Sequence, residues 1–301
     1  MKLIKPYFEI IEQEPGLDGI YKQIELAGRS CYKSEDRITE DSAEKFVNMI
    51  KDRQHTAMLE HGTVYLYIHK DHAYNVIGDN WVTEQYLSNS YSVINTDSYG
   101  NYHITTNYRV LYENDWLDDL KYLCEPTEYH EKRITIKFIC DRGVSHEFVR
   151  HRVFSFAQES TRYCNYSKDK FGSELTFIIP YWTNIPEGQS YWHDGIGYRV
   201  GADIQNKDFG YIEKSPNYFN FLSSLEESEK CYFRLLNEGW VPQQARSILP
   251  NSLKTELVMT GTVEQWKGFF KLRCDVAAHP QARELAIPLK EEFIKRNLIN
   301  N

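Results

Sequence analysis

The sequence predicts an α+β fold, and three observations carry that expectation. Residues 134–139 (Ile-Thr-Ile-Lys-Phe-Ile) alternate with the period of two that a half-buried strand requires, and residues 63–68 are rich in β-branched and aromatic side chains. Ile20, Ile24, Ala27 and Cys31 recur at three- and four-residue spacing, the period of a helix with one apolar face. Further helical patterns gather toward the carboxyl end, so strands and helices interleave irregularly instead of alternating in a regular series.

Composition bounds the rest. With 41% hydrophobic residues in 301, the chain can bury a real core, as one large domain or two small ones. A formal net charge of -8 argues against a general nucleic-acid binder, which needs a basic face, but leaves room for a local basic pocket around one anionic ligand. The six cysteines include no Cys-x-x-Cys pair and the amino end shows no signal pattern, which together predict a reduced, cytoplasmic protein. No stretch approaches the roughly 18 apolar residues of a membrane span. The histidine pairs His55/His61 and His69/His72 have no second set of ligands nearby in sequence, so no metal is expected.

In chain order, residues 3–11 read as a first strand and Pro15-Gly16 as a turn into the first helix. Thr39 and Asp41 are candidate caps of a second helix, with Ala43, Phe46, Val47 and Ile50 inward, stopping near His55. After strand 63–68 a long stretch runs over about 70–132 before the next clear strand. It is polar and tyrosine-rich between 88 and 108, helical around Trp116 to Leu120, and its recurring aromatics and leucines predict a folded elaboration. Asp141-Arg142-Gly143 ends strand 134–139, and a short helix from Val144 or Ser145 runs toward Arg150. Residues 174–180 form another strand with a proline stop; 181–215, rich in Gly, Trp, Tyr and Asp, reads equally as a lid or as surface decoration. Ser215-Pro216 opens a long helix to Gly239. Val241 to Pro250, with Arg246 inside it, is bounded by Pro242 and Pro250, and Thr262 caps a helix with Trp266, Phe269, Phe270 and Leu272 on its apolar face. A last helix follows Pro280, with Leu285, Leu289 and Phe293 inward and a kink expected at Pro288.

The chemistry concentrates in residues 150–162, Arg-His-Arg-Val-Phe-Ser-Phe-Ala-Gln-Glu-Ser-Thr-Arg. Guanidinium groups present a planar fork that fits phosphate or carboxylate, and hydroxyls add short adjustable donors. One reading is a recognition surface. The other is an exposed helix face with Glu147–Arg150 and Glu159–Arg162 ion pairs at three-residue spacing. Ser160 is not read as a nucleophile, because no Ser-His-acid order accompanies it.

An Arg-His-Arg triplet, seven residues, then a serine two positions before another arginine resembles the signature of flavin-dependent thymidylate synthases. The continuation Arg162-Tyr163-Cys164-Asn165-Tyr166-Ser167 resembles the family too, as do Ala27 to Tyr32, His55 to His61, Val241 to Pro250 and the stretch ending at Arg273. The resemblance implies a single domain, 1–301, with a central, mostly antiparallel sheet flanked by helices and inserts at about 70–132 and 181–215, and transfer of a methylene group from 5,10-methylenetetrahydrofolate to dUMP with reduction to methyl by NADPH through FAD. It implies that Arg273 is catalytic, stabilising the ionised uracil ring. It further implies dUMP contacts from Glu147, Arg150, Gln158, Glu159, Ser160, Thr161, Arg162, Arg246 and Arg273. The implied FAD contacts are Ala57, Arg150, His151, Arg152, Gln158, Thr262, Glu264 and Leu272. A homotetramer with shared sites is implied as well. The chain departs from the family at Ala57, where a hydroxyl is usual, at Glu264, which reverses a charge, and at Gly268, where a side chain is frequent. Gln158 and Glu147 exchange the family's usual acid and amide. These departures motivate an alternative, a non-catalytic nucleotide-binding homologue that has lost flavin.

Overall fold

The computed structural model describes residues 1–74, 78–168, 171–188, 190–193, 195, 197–201, 210–211 and 216–300. The chain opens with β1 (Lys2–Ile4), β2 (Tyr7–Ile11), α1 (Gly16–Tyr32) and α2 (Ser42–Asp52). Next come β3 (Thr63–Ile68), β4 (Val93–Thr96), β5 (Tyr102–Asn107) and α3 (Tyr108–Glu113). The middle holds β6 (Arg133–Asp141), α4 (Arg142–Phe148), β7 (Ser155–Gln158) and β8 (Thr176–Ile178). Short strands β9 (Ser190–His193), β10 (Tyr198–Gly201) and β11 (Gly210–Tyr211) precede α5 (Pro216–Asn237) and α6 (Pro242–Ala245). The chain closes with β12 (Lys254–Thr262), α7 (Val263–Arg273) and α8 (Pro280–Lys295).

The central sheet has the order β2-β6-β12-β7 and every pairing is antiparallel. Its backbone is the nine-residue ladder of β6 and β12, from Lys254 opposite Asp141 to Thr262 opposite Arg133. Alternation gives this sheet two apolar faces. Ile136, Phe138, Leu257 and Met259 point toward α4, α7 and α8, where Val144, Phe148, Trp266, Phe269, Leu285 and Phe293 complete one core. Ala157 and Val258 point the other way, against Ala27 of α1. Helices therefore flank the sheet on both sides, as an α+β chain should.

The expected strand 3–11 is two strands in two sheets. Pro6 has no N–H to offer a ladder, and the strands part at Lys5-Pro6: β1 pairs in parallel with β8, while β2 joins the central sheet. The described part of 70–132 is folded, as its aromatics predict. Residues 63–68 pair with β5, and β5 with β4, in a separate antiparallel sheet. The chain's excursion from the central sheet thus includes β3 and begins at Thr63. Its apolar side packs on Ile20, Ile24, Phe46, Val47 and Ile50, so α1 is held between two cores. Gly62 is required where the chain turns into β3, because a Cβ there would lie 2.7 Å from both Ile20 Cγ2 and Ile24 Cδ1. Arg133 fastens the end of the excursion to its start, donating to the Glu60 carbonyl at 3.1 Å and the Thr63 hydroxyl at 3.5 Å.

Part of the second insert, 202–209 and 212–215, lies outside the described residues, and so does the expected cap Ser215. What is described of it forms the antiparallel order β11-β10-β9. Among the described residues no helix is long and apolar enough to cross a membrane, and no group of His, Cys, Asp and Glu could hold a metal ion.

Candidate functional site

Asp141 sets the local geometry from which the site grows. Its Oδ1 accepts from the Val144 amide at 2.7 Å and its Oδ2 from Gln281 Nε2 at 2.7 Å, so the carboxylate caps α4 and ties it to α8. The triplet Asp141-Arg142-Gly143 therefore starts the helix instead of separating it from the strand. After α4 the chain turns through His151 and re-enters the sheet as β7, leaving Arg150, Arg152 and Val153 exposed while Phe154 packs edge-on against Trp266.

Arg273, the last residue of α7, meets this turn. Its Nη1 donates to Glu147 Oε2 at 2.6 Å, its Nη2 to the Glu147 carbonyl at 2.5 Å, and its Nε to His151 Nε2 at 2.9 Å. A guanidinium only donates, so His151 Nε2 carries no proton and the imidazole is neutral with its proton on Nδ1. Burial, then the Arg273 charge, hold the His151 pKa down at about 4. These contacts use three of the five N–H groups of the guanidinium and fix its plane. Glu147 also lines a cavity of about 270 Å³ with Trp182, Phe221 and His279, so the partner of Arg273 borders open space.

Gln158, at the end of β7, donates to Ser145 Oγ at 2.8 Å and Thr255 Oγ1 at 3.3 Å, which turns its amide toward α4. Glu159 points to the opposite face of the sheet, where it is buried and accepts from Tyr166 Oη at 2.8 Å and Lys254 Nζ at 2.9 Å. Ser160 is anchored by its amide to the Cys31 carbonyl at 2.9 Å, and the Thr161 hydroxyl accepts from Arg246 Nη1 at 3.3 Å. Arg162 is exposed over the Tyr163 ring. Among the described residues, Arg150, Arg152, Arg162 and Arg246 form no ion pair with a carboxylate. The reading of 150–162 as an ion-paired helix face is overturned: the segment contains a strand, Glu147 is bound by Arg273, and Glu159 by Lys254.

On the remaining positions, the Thr262 hydroxyl accepts from the Gln265 amide at 3.2 Å in a capping box that starts α7. Glu264 pairs with Lys267 at 2.9 Å, and its amide donates to Glu131. Glu264, Gly268 and Leu272 are four residues apart and share the exposed side of α7, where a Cβ on Gly268 would meet open space. Ala57 is exposed in a 3₁₀ turn over Thr56–His61, whose His61 is fully buried with Nδ1 2.8 Å from Thr260 Oγ1.

Burial, then the charge of Arg133, lower the His61 pKa to about 3. Like His151 it is neutral in the fold, so below the ordinary imidazole value of about 6.5 the unfolded chain binds more protons than the folded one. Stability is expected to be full above about pH 6.5 and to fall as pH drops toward 4, by a few kcal/mol from His61 alone. Urea titrations at pH 7.5 and 5 measure the loss; a His61→Gln variant should lose less, and an equal loss would rule His61 out as a cause.

Sequence reasoning assigned no role to Lys33, Lys137, Lys254, Glu256 or Tyr166; Tyr166 and Lys254 bind Glu159, and Lys33 and Lys137 are linked to it through Glu256 and Lys254. A signal was present: Lys254 and Glu256 stand two apart in the otherwise apolar and hydroxylated run 253–260, the spacing of one strand face.

Comparison with known proteins bears on the same residues. The family described as Thymidylate synthase complementing protein matches residues 123–296, more than half of the chain and the whole span from β6 to the end of α8. A flavin-dependent thymidylate synthase of Pyrococcus furiosus is 30% identical over 158 residues, 52% of this chain and 52% of the relative. One from Synechocystis sp. is 27% identical over 165 residues, 54% of this chain and 66% of the relative. The chain thus spans about half to two thirds of the length of these curated relatives. Among solved structures, a UMP/dUMP methylase, PolB, from Streptomyces cacaoi bound with 5-Br UMP aligns over 98% of this chain and 92% of its own at 14% identity, with a TM-score of 0.42. The match over 123–296 takes in Glu147, His151 and Arg273 together with the turn 159–162 and Arg246, and by it the chain belongs to the thymidylate synthase complementing protein family.

Proposed function

We propose that this chain is a flavin-dependent thymidylate synthase that methylates dUMP to dTMP, with 5,10-methylenetetrahydrofolate as carbon donor and NADPH as reductant through FAD. The observation that carries the reading is Arg273, held in one plane by Glu147 and His151 with two N–H groups uncommitted by those bonds. Uracil becomes nucleophilic at C5 when N3 loses its proton and negative charge spreads over the ring oxygens. A fixed guanidinium beside the ring stabilises that charge without reorganising, and it does so without a nucleophilic thiol. Arg150, Arg162 and Arg246, exposed and free of carboxylate partners among the described residues, suit the phosphate, with Ser160 adding a hydroxyl.

The residues present also fit FAD. Arg150 and Arg152 offer charge for a diphosphate, and Val153 and Leu272, 65% and 61% exposed, offer apolar surface for a ring system. The His151–Arg273 contact brings the ends of α4 and α7 together, and thus these two surfaces. The open space over Gly268 leaves room for part of the cofactor beside Glu264, which already has a partner in Lys267. When bound, FAD supplies the hydride chemistry that turns methylene into methyl. The exposed arginines and Leu272 suit a site completed by other copies of the chain in a homotetramer.

The visible spectrum of the purified protein tests this, followed by NADPH without oxygen, with and without dUMP. Flavin bands that bleach, and bleach differently with dUMP, are expected. A colourless protein that still binds dUMP after FAD is offered would favour a non-catalytic nucleotide-binding homologue.

A further inference from the structure

Beneath the turn 159–162 lies a network of six charges that the catalytic reading does not use. Lys254 bridges Glu159 Oε2 at 2.9 Å and Glu256 Oε1 at 2.6 Å; Lys33 reaches the same Glu256 oxygen at 2.7 Å, and Lys137 its Oε2 at 2.6 Å. Glu35 closes the ring, 3.2 Å from Lys33 and 3.7 Å from Lys137. Tyr166 donates to the remaining oxygen of Glu159 at 2.8 Å. The network is electrically balanced and mostly sequestered: the Glu159 side chain is 2% exposed and that of Glu256 8%. Burial opposes the charges of Glu256 and Lys254, yet three lysines hold the Glu256 pKa well below the carboxylate range, and the two carboxylates hold Lys254 above the usual lysine range.

Stability alone does not account for such a device. Replacing buried ion pairs with apolar residues of similar size is often neutral or stabilising, and what buried charge does secure in attested cases is a particular arrangement. Here the arrangement is that of one turn. The Glu159 amide donates to the Glu256 carbonyl at 2.9 Å, extending the β7–β12 pairing one residue beyond the strand. The Ser160 amide then reaches the Cys31 carbonyl at 2.9 Å, on the side of α1 adjoining Lys33 and Glu35. With residue 159 drawn inward, the hydroxyl of Ser160 and the guanidinium of Arg162 are left to the outside.

We propose that the Lys254–Glu159 pair, held by the surrounding network, is a positioning device that sets the turn bearing Ser160, Thr161 and Arg162 for the nucleotide phosphate. This rests on the reading of that turn as part of a dUMP site. Glu159 then acts through the turn and not on the substrate. Removing the lysine charge leaves Glu159 as an uncompensated anion beneath the phosphate, which both loosens the turn and repels the ligand.

The test is Lys254→Met in the flavin-loaded enzyme, with Lys254→Arg as the conservative variant and Lys254→Met/Glu159→Leu as a neutral, apolar replacement that protects the fold. KM for dUMP is expected to rise about tenfold in Lys254→Met with kcat within about twofold, because the loss is in ground-state phosphate binding. Calorimetric affinity for dUMP should fall in parallel while that for deoxyuridine, which lacks the phosphate, is unchanged. Lys254→Arg should recover most of the loss, and the double variant should fold as wild type yet keep a raised KM. An unchanged KM in both Lys254→Met and the double variant would overturn the proposal, as would equal losses for dUMP and deoxyuridine. Failure of the wild-type holoprotein to bind dUMP would overturn the nucleotide-site reading and this proposal with it, whereas wild-type binding with unaffected variants would overturn the proposal alone.

Discussion

Arg273→Ala should lower the rate of dTMP formation by at least about 10²- to 10³-fold, the scale seen when a preorganised donor to a developing anion is lost. Two effects add. The ring anion loses its counter-charge, and Glu147, which now binds Nη1 and accepts from Nη2 through its carbonyl, is left as a bare carboxylate beside the ring. Arg273→Lys keeps one charge but cannot span Glu147 Oε2, the Glu147 carbonyl and His151 Nε2 together, so it should recover little. Flavin content should stay near wild type in both variants. Single-turnover rates read against flavin absorbance would decide the matter, and a rate near wild type in Arg273→Ala would remove the residue from the chemistry.

Trp266→Ala should cost about 3–5 kcal/mol of stability, the range for deleting a buried large aromatic. Trp266 is fully buried at the middle of α7, 4.7 Å from the Phe154 ring centroid and 5.2 Å from that of Phe269, and its indole N–H donates to the Ile134 carbonyl at 3.1 Å. The truncation opens a cavity and also removes the partner of a carbonyl on β6. Urea midpoints with an unchanged m-value would measure it; a shift worth under about 1 kcal/mol would show that the core closes over the gap. Because α7 carries Arg273, some loss of activity should accompany the loss of stability.

How much of this was legible in the sequence depended on whether local pattern and tertiary environment agreed. They agreed for β3, for the inner face of α2 and for the Thr262 cap, whose side chains do in the fold what their spacing suggests. They disagreed at β12. Lys254 and Glu256 make that strand look half-solvated, yet it is the second inner strand of the central sheet and both charges are answered from β7, β6 and the end of α1. The same applies to β7: Ser155 to Gln158 lies inside a segment dense in charge, whose local spacing suggests an ion-paired helix face as readily as anything else. Glu147 was named as a substrate contact, but that its partner would be Arg273, 126 residues away, no local spacing could say. The arginine cluster was legible as a cluster; that Glu159 turns inward while Ser160 and Thr161 are anchored elsewhere depends on three separate long-range contacts.

The fastening of residues 63–132 by Arg133 bears on how quickly the chain can find its fold. The ladder of β2 with β6 joins residues such as Ile10 and Ile136, and closing so long a loop is normally slow, because non-local pairing must pay its entropy before any contact forms. Much of that separation is taken up by β3, β5 and β4, whose pairings are far closer in sequence and can form early. Once they have formed, Arg133 sits against Glu60 and Thr63, and about seventy residues of chain span only the width of one side chain. To the central sheet the excursion then behaves as a short connection, so its length should weigh little on the rate at which β2 meets β6. Hydrogen exchange during refolding should accordingly protect the amides of β3 and β5 before those of β6 and β12.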